Sequence, residues 1–162
     1  DHRDLHYPLR RQRQMCIRDR FNIVGTLGMG YLGTKYKKKI LLSLLYASRA
    51  VIISIFIFSP PSLGMSIFFG ITFGMVWLST VPPTNGIVAQ IFGTKYLSTL
   101  FGIVFLSHQV GSFLGAFLGG YFYDLYGSYD YAWYLAIALS AFAALVHLPI
   151  DERPIVRVRT SS

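Results

Sequence analysis

From Leu63 to Thr94 the chain contains no Asp, Glu, Lys or Arg. Soluble folds do not leave so long a stretch uncharged, whereas a helix crossing the hydrocarbon core of a bilayer needs about 20 mostly apolar residues. Three further runs have the same character. Ile40–Phe58 is interrupted only by Arg49, Tyr96–Tyr123 carries no full charge, and Tyr131–Leu148 is likewise uncharged and ends at Pro149. Before them, a Gly-rich stretch at 21–33 reads as the tail of an earlier span. Barrel strands would alternate in polarity over roughly ten residues, and these runs are too long and too uniformly apolar for that. The expected fold class is therefore an all-α membrane protein, with a partial span at about 21–33 and whole spans at about 40–58, 64–92, 96–123 and 131–149. The 64–92 helix is long enough to need a tilt or a kink. Pro82 and Pro83 supply one, because each removes a backbone donor and crowds the preceding turn.

Composition agrees. Of 162 residues 14% are charged and 53% hydrophobic, against roughly 25% charged in a soluble domain. A disulfide scaffold, a disordered tail and an ordinary cytosolic enzyme are all poor fits. The formal net charge of +8 is concentrated at one end. Residues 1–20 are polar and basic, hold the one Cys, and have no apolar run of the kind a secretory signal requires. Asp1–His6 and Arg10–Asp19 are what the two ends of a sequencing-library adapter spell when translated in frame, with Tyr7–Leu9 in the place of a sample index. Residues 1–20 are thus expected to be foreign to the natural protein, and the native chain to be cut at Phe21. The plainer alternatives are a basic arm or a juxtamembrane segment for acidic lipids. From Phe21 onward no Cys remains, which removes thiolate catalysis, Cys-based metal sites and disulfides.

Loop charges give an orientation, since Lys and Arg in short loops mark the cytoplasmic side. Lys35, Lys37, Lys38, Lys39, Lys95, Arg153, Arg157 and Arg159 fall on one side; the Ser59–Ser62 and Asp124–Asp130 loops have no Lys or Arg. The lysine loop, the C-terminus and the 154–162 tail are expected to be cytoplasmic, in the plasma (inner) membrane. Tyr121, Tyr123, Tyr126, Tyr129, Tyr131, Trp133 and Tyr134 would form an interfacial belt on the opposite face.

Few polar groups lie deep in the spans. Arg49 is central in its run, where a charge costs at least about 2.5–3.5 kcal/mol; it needs a partner, a substrate anion or water, in an electrostatic or gating role. His108, followed by Gln109, is central in the 96–123 run. Histidine changes charge near neutral pH, so His108 can carry a coupling proton or bind a carboxylate, or can simply hydrogen-bond a neighbouring helix. Trp77, Ser79, Thr80 and Asn85 cluster around Pro82 and Pro83. A proline break frees backbone carbonyls, and hydroxyls and amides can line a cavity with them. Polar groups at similar depth on three spans, next to a broken helix, point to a substrate site in a transporter. Gly111, Gly115 and Gly119 form a smooth ridge, repeated by Gly70 and Gly74, where another helix can approach closely and either pack or slide. No phosphate-binding glycine loop and no metal-ligand spacing occurs, and the lysine cluster is too short to argue for nucleic acid. No cofactor or metal is expected.

Gly30, Leu32, Gly33, Lys35, Lys38 and Lys39 match the signature loop of the major facilitator superfamily, which this stretch resembles, with Thr34 in place of its Asp and Lys37 in place of its Gly. Phe92–Tyr96, Gly102, His108–Gln109, Gly111–Gly120 and Tyr123–Tyr129 look like the last two helices of the monocarboxylate-porter and oxalate/formate-antiporter branch. The resemblance covers about 21–153. It implies the end of the eighth through the twelfth helix of a twelve-helix transporter, with a missing N-terminal half as partner. It also implies that the eighth, tenth and eleventh helices line the cavity, while the ninth, carrying Arg49, and the twelfth lie outside it.

The expected function is secondary active transport of a small organic anion, such as a monocarboxylate, by alternating access, coupled to protons or to counter-transport. Trp77, Ser79, Thr80 and Asn85 would line the cavity, with His108 and Gln109 as polar contacts, and the Gly30–Lys39 loop would act as a cytoplasmic gate. A multidrug or other antiporter of the same superfamily is the nearest alternative. A membrane-embedded enzyme is a different class, but Ser107 and His108 are adjacent on a helix and poorly placed as nucleophile and base. A membrane sensor would need a soluble signalling domain.

Overall fold

The computed structural model describes residues 3–155, with side chains from residue 19 onward; Arg157 and Arg159 lie outside the described residues. The described chain is entirely helical: α1 (Arg3–Lys35), α2 (Lys38–Phe58), α3 (Leu63–Trp77), α4 (Val81–Phe92), α5 (Leu97–Tyr126) and α6 (Asp130–Val146). The α2 and α5 helices, and α3 with α4 taken together, are long and apolar enough to cross a membrane. The α6 helix is apolar but shorter, because the chain turns at His147–Pro149 rather than continuing to Pro149 as a helix.

The helix ends follow local chemistry. The Ser62 hydroxyl accepts the Met65 N–H at 3.1 Å and caps α3. Gly93 and Gly127 end α4 and α5 with φ of 77° and 67°, a conformation that a Cβ disfavours. Inside the helices, Ser48, Ser54, Thr72, Ser107 and Ser112 donate to the carbonyl one turn back, at 2.7–3.0 Å. In lipid this satisfies each hydroxyl without help from another helix.

Packing centres on α2. Leu41, Leu42, Leu45 and Ile53 are buried, together with Ile87 and Val88 of α4 and Ala144 of α6. The α2 helix packs chiefly on α6, where the Ser43 hydroxyl donates to the Ala144 carbonyl at 2.8 Å. The α1 helix packs chiefly on α3. Among the described residues, the α5 helix touches only α4 and α6 and buries none of its own. A column of rings ties α2, α3 and α6 together: Trp77–Phe73, Phe73–Phe69, Phe69–Phe56 and Phe56–Trp133 lie 5.2, 5.0, 4.3 and 5.9 Å apart. Trp133 thus turns into this column rather than joining the outer belt. Within the belt itself Tyr123 stacks on Tyr129 at 4.6 Å and Tyr126 meets Tyr131 at 4.3 Å.

Candidate functional site

The long Leu63–Phe92 segment is not kinked at its prolines; it is interrupted three residues before them, at Leu78–Thr80. The reason lies in proline sterics. A proline ring clashes with the carbonyl four residues back, which places the conflict of Pro82 and Pro83 at Leu78 and Ser79. Ending α3 at Trp77 and restarting at Val81 puts both prolines in the first turn of α4, where no intrahelical donor is needed.

Several backbone groups at the interruption find partners outside the regular helical pattern. The Val81 N–H turns to the Leu78 carbonyl at 3.0 Å, which leaves the Trp77 carbonyl without its helical donor. Arg49 Nη2 fills that vacancy, donating to Trp77 at 3.1 Å and to Val76 at 3.3 Å. The Ser79 hydroxyl donates to the Met75 carbonyl. The Leu78 N–H donates to Asn22 Oδ1 on α1 at 3.2 Å. The Thr80 carbonyl accepts the N–H and the hydroxyl of Thr84, at 3.1 and 2.7 Å.

Arg49 is held without an acidic partner among the described residues. Its guanidinium lies at the C-terminal, negative end of the α3 dipole. The Tyr46 and Trp77 ring centroids lie 5.3 and 5.6 Å away, within reach of cation–π attraction. Arg49 is thus a cap for a broken helix, supplied by the neighbouring span. Two buried polar atoms stay without a hydrogen-bond partner among the described residues: Arg49 Nε and Asn85 Oδ1, the latter in the second turn of α4.

Trp77 and Thr80 are partly accessible around the break, whereas Ser79 is fully buried. Gly25 of α1 explains that burial: a Cβ there would run into the Met75 carbonyl and come within 2.7 Å of Ser79 Oγ. Asn22 and Gly25 were not singled out in the sequence. A lone amide inside the apolar 21–33 run was the available signal for Asn22, and Gly25 was one glycine among several.

The other predicted residues lie elsewhere. His108 and Gln109 sit on the exposed surface of α5, which makes no contact with α3; the nearest ring to His108 is Phe105, at 6.2 Å. Gly111, Gly115 and Gly119 face open space among the described residues, as do Gly30, Gly33 and Gly70, while Gly74 is buried. In the lysine loop, Lys35 lies over the Tyr31 ring at 4.7 Å, and Lys38 Nζ donates to Gln90 Oε1 on α4 at 2.8 Å. The Lys39 N–H donates to Glu152 Oε1 at 2.5 Å. Two cavities lie near the loop ends. One, of about 270 Å³, is lined by Phe56, Pro60, Asp130 and Trp133 among others; the second, of about 520 Å³, lies between the lysine loop and Asp151–Pro154.

Comparison with known proteins adds the family. The model of the Major Facilitator Superfamily matches residues 21–162. An uncharacterized MFS-type transporter of Bacillus subtilis strain 168, YcxA, is 27% identical over 135 residues, covering 79% of this chain and 33% of the relative. The chain therefore spans about a third of the length of the curated relative it matches. No solved structure matches it. With a family match across nearly all of an apolar, all-helical chain that carries an interrupted span, this multi-pass membrane protein belongs to the Major Facilitator Superfamily.

Proposed function

We propose that the protein is a secondary active transporter of a small organic anion, such as a monocarboxylate, working by alternating access with proton coupling or counter-transport. The observation that carries this reading is the interruption at Leu78–Thr80. It leaves carbonyls that a cation from the neighbouring span answers, with the unpartnered Asn85 Oδ1 farther along α4, and discontinuous helices of this kind are where transporters hold polar solutes. Trp77, Thr80 and Asn85 line the cavity, Ser79 shapes the break behind them, and Arg49 holds it. His108 and Gln109 contribute polar contacts from α5, facing an N-terminal half that completes the cavity. The Gly30–Lys39 loop is the cytoplasmic gate, and Gly111, Gly115 and Gly119 are the surface on which that half packs. Residues 21–153 correspond to the end of the eighth through the twelfth helix. Residues 1–20 are foreign sequence, which the start of the family match at residue 21 supports.

The test is transport by the full-length protein in liposomes. Labelled lactate should accumulate above equilibrium when a proton gradient is imposed and should not do so without one. Gradient-driven export of a lipophilic dye, with no lactate accumulation, would instead establish a multidrug antiporter. Orientation is tested separately with single cysteines at Thr34 and Ser128. An impermeant thiol reagent outside intact cells should label position 128 and leave position 34 untouched; the reverse pattern inverts the topology.

A further inference from the structure

The chain after α6 is fastened across the ends of two other helices. Helix N-termini favour carboxylates and disfavour cations, because unpaired N–H groups and the macrodipole leave them positive. The α2 helix opens against that preference, with Lys37 at its cap position, Lys38 and Lys39 in its first turn, and no acidic residue there. The carboxylate is supplied from 113 residues away, where Glu152 Oε1 accepts the Lys39 N–H. The same segment closes the end of α4. The Ile155 N–H donates to the Ile91 carbonyl at 3.0 Å, in the last turn of α4, where carbonyls lack helical donors. The Glu152 carbonyl accepts from Gln90 Nε2 at 3.0 Å, while the other end of the Gln90 amide accepts from Lys38 Nζ. The stem of Lys38 lies against Gly86, where a Cβ would come within 2.7 Å of Lys38 Cε.

We propose that residues 151–155 form a strap across the cytoplasmic ends of α2 and α4, with Glu152 as a long-range N-cap of α2 and the Ile155 N–H as a cap of α4. Polar bonds at helix ends hold it, beside the cavity of about 520 Å³ that Lys37, Lys39 and Arg153 also line. Water therefore has room to replace the bonds at Lys39 and Gln90, and that part of the strap can detach without opening a packed core. While it is fastened, the first turn of α2 and the last turn of α4 cannot part. Its consequence for turnover rests on the transport reading above, since opening the cytoplasmic side then requires these ends to separate.

The experiment is amide hydrogen exchange on the full-length protein in lipid nanodiscs, run beside the transport assay. Glu152→Ala removes the acceptor of Lys39. If the strap acts as one unit, exchange should speed up by about tenfold at Lys39 and also at Ile155. Gln90→Ala, which breaks the strap from the α4 side and leaves Glu152 intact, should accelerate the same two amides. Glu152→Gln keeps an oxygen acceptor and should fall between wild type and Glu152→Ala. A response confined to Lys39, or none at either amide, overturns the strap. If the wild-type protein transports nothing, the transport reading fails while the exchange result still decides the strap.

Discussion

The α2 and α5 helices are both long, apolar and able to span a bilayer, yet they stand at opposite extremes of completeness. Every serine hydroxyl of α2 finds an acceptor, its Arg49 lies on the end of α3, and Leu41, Leu42 and Leu45 are buried. Among the described residues, the α5 helix buries nothing, makes no contact with α3, and carries its histidine, glutamine and glycine ridge on open surface. The lesson is that α2 is answered from within the chain and α5 is not. Changes around α2 should therefore act on stability, and changes on the face of α5 on what the complete protein does.

Arg49→Leu should break this contrast most strongly if the contrast is wrong. It strips the Val76 and Trp77 carbonyls of their donor, each loss costing about 1–3 kcal/mol. Purified full-length protein should lose about 3 kcal/mol of stability in a denaturant titration. Arg49→Lys should recover only part of that, because an ammonium lacks the planar fork. A leucine variant as stable as wild type would mean that the cap is dispensable. Next in size is Gly25→Val. The added side chain has no room against Met75 and Ser79, and overpacking of this kind costs about 1–3 kcal/mol. Thermal unfolding should shift down, whereas the same substitution at Gly30, where space is open, should leave the melting point near wild type. The smallest effect on stability belongs to His108→Gln, expected within about 0.5 kcal/mol as for a surface change. Its effect should fall on transport: loss of pH dependence with exchange preserved if it carries the proton, or weaker affinity in both modes if it binds the anion. A clear loss of stability with normal affinity and pH profile would place His108 among packing residues and erase the distinction.

Much of the architecture was legible because hydropathy reports span by span. The α2 helix runs Lys38–Phe58 where the apolar run predicts 40–58, and α5 runs Leu97–Tyr126 where it predicts 96–123. The break in the third span was legible in kind but not in place. Pro82 and Pro83 announce that a helix must yield, but the steric conflict falls four residues earlier, so the chain yields at Leu78–Thr80. The identity of what repairs the break was not legible. Nothing local links Arg49 to the Trp77 carbonyl or Asn22 to the Leu78 N–H, because those pairings depend on how α1, α2 and α3 lie against one another. For the same reason a glycine that must be small, Gly25, could not be told from Gly28 or Gly30 beside it. The Glu152 cap joins points more than a hundred residues apart, and a tail acid gives no sign of which helix it will serve.

The Arg49 cap also constrains how the chain enters the membrane during synthesis. The helix that carries the charge is made before the carbonyls that receive it. While α2 alone occupies the translocation site, its guanidinium has no α3 terminus to sit on and stays costly in hydrocarbon. Once Trp77 has emerged, the freed end of α3 is available and the cost falls. The two spans thus favour entering as a hairpin, with α2 held at the lateral gate until its successor arrives. Ser48, Ser54 and Thr72, bonded to their own helix from the start, impose no such delay.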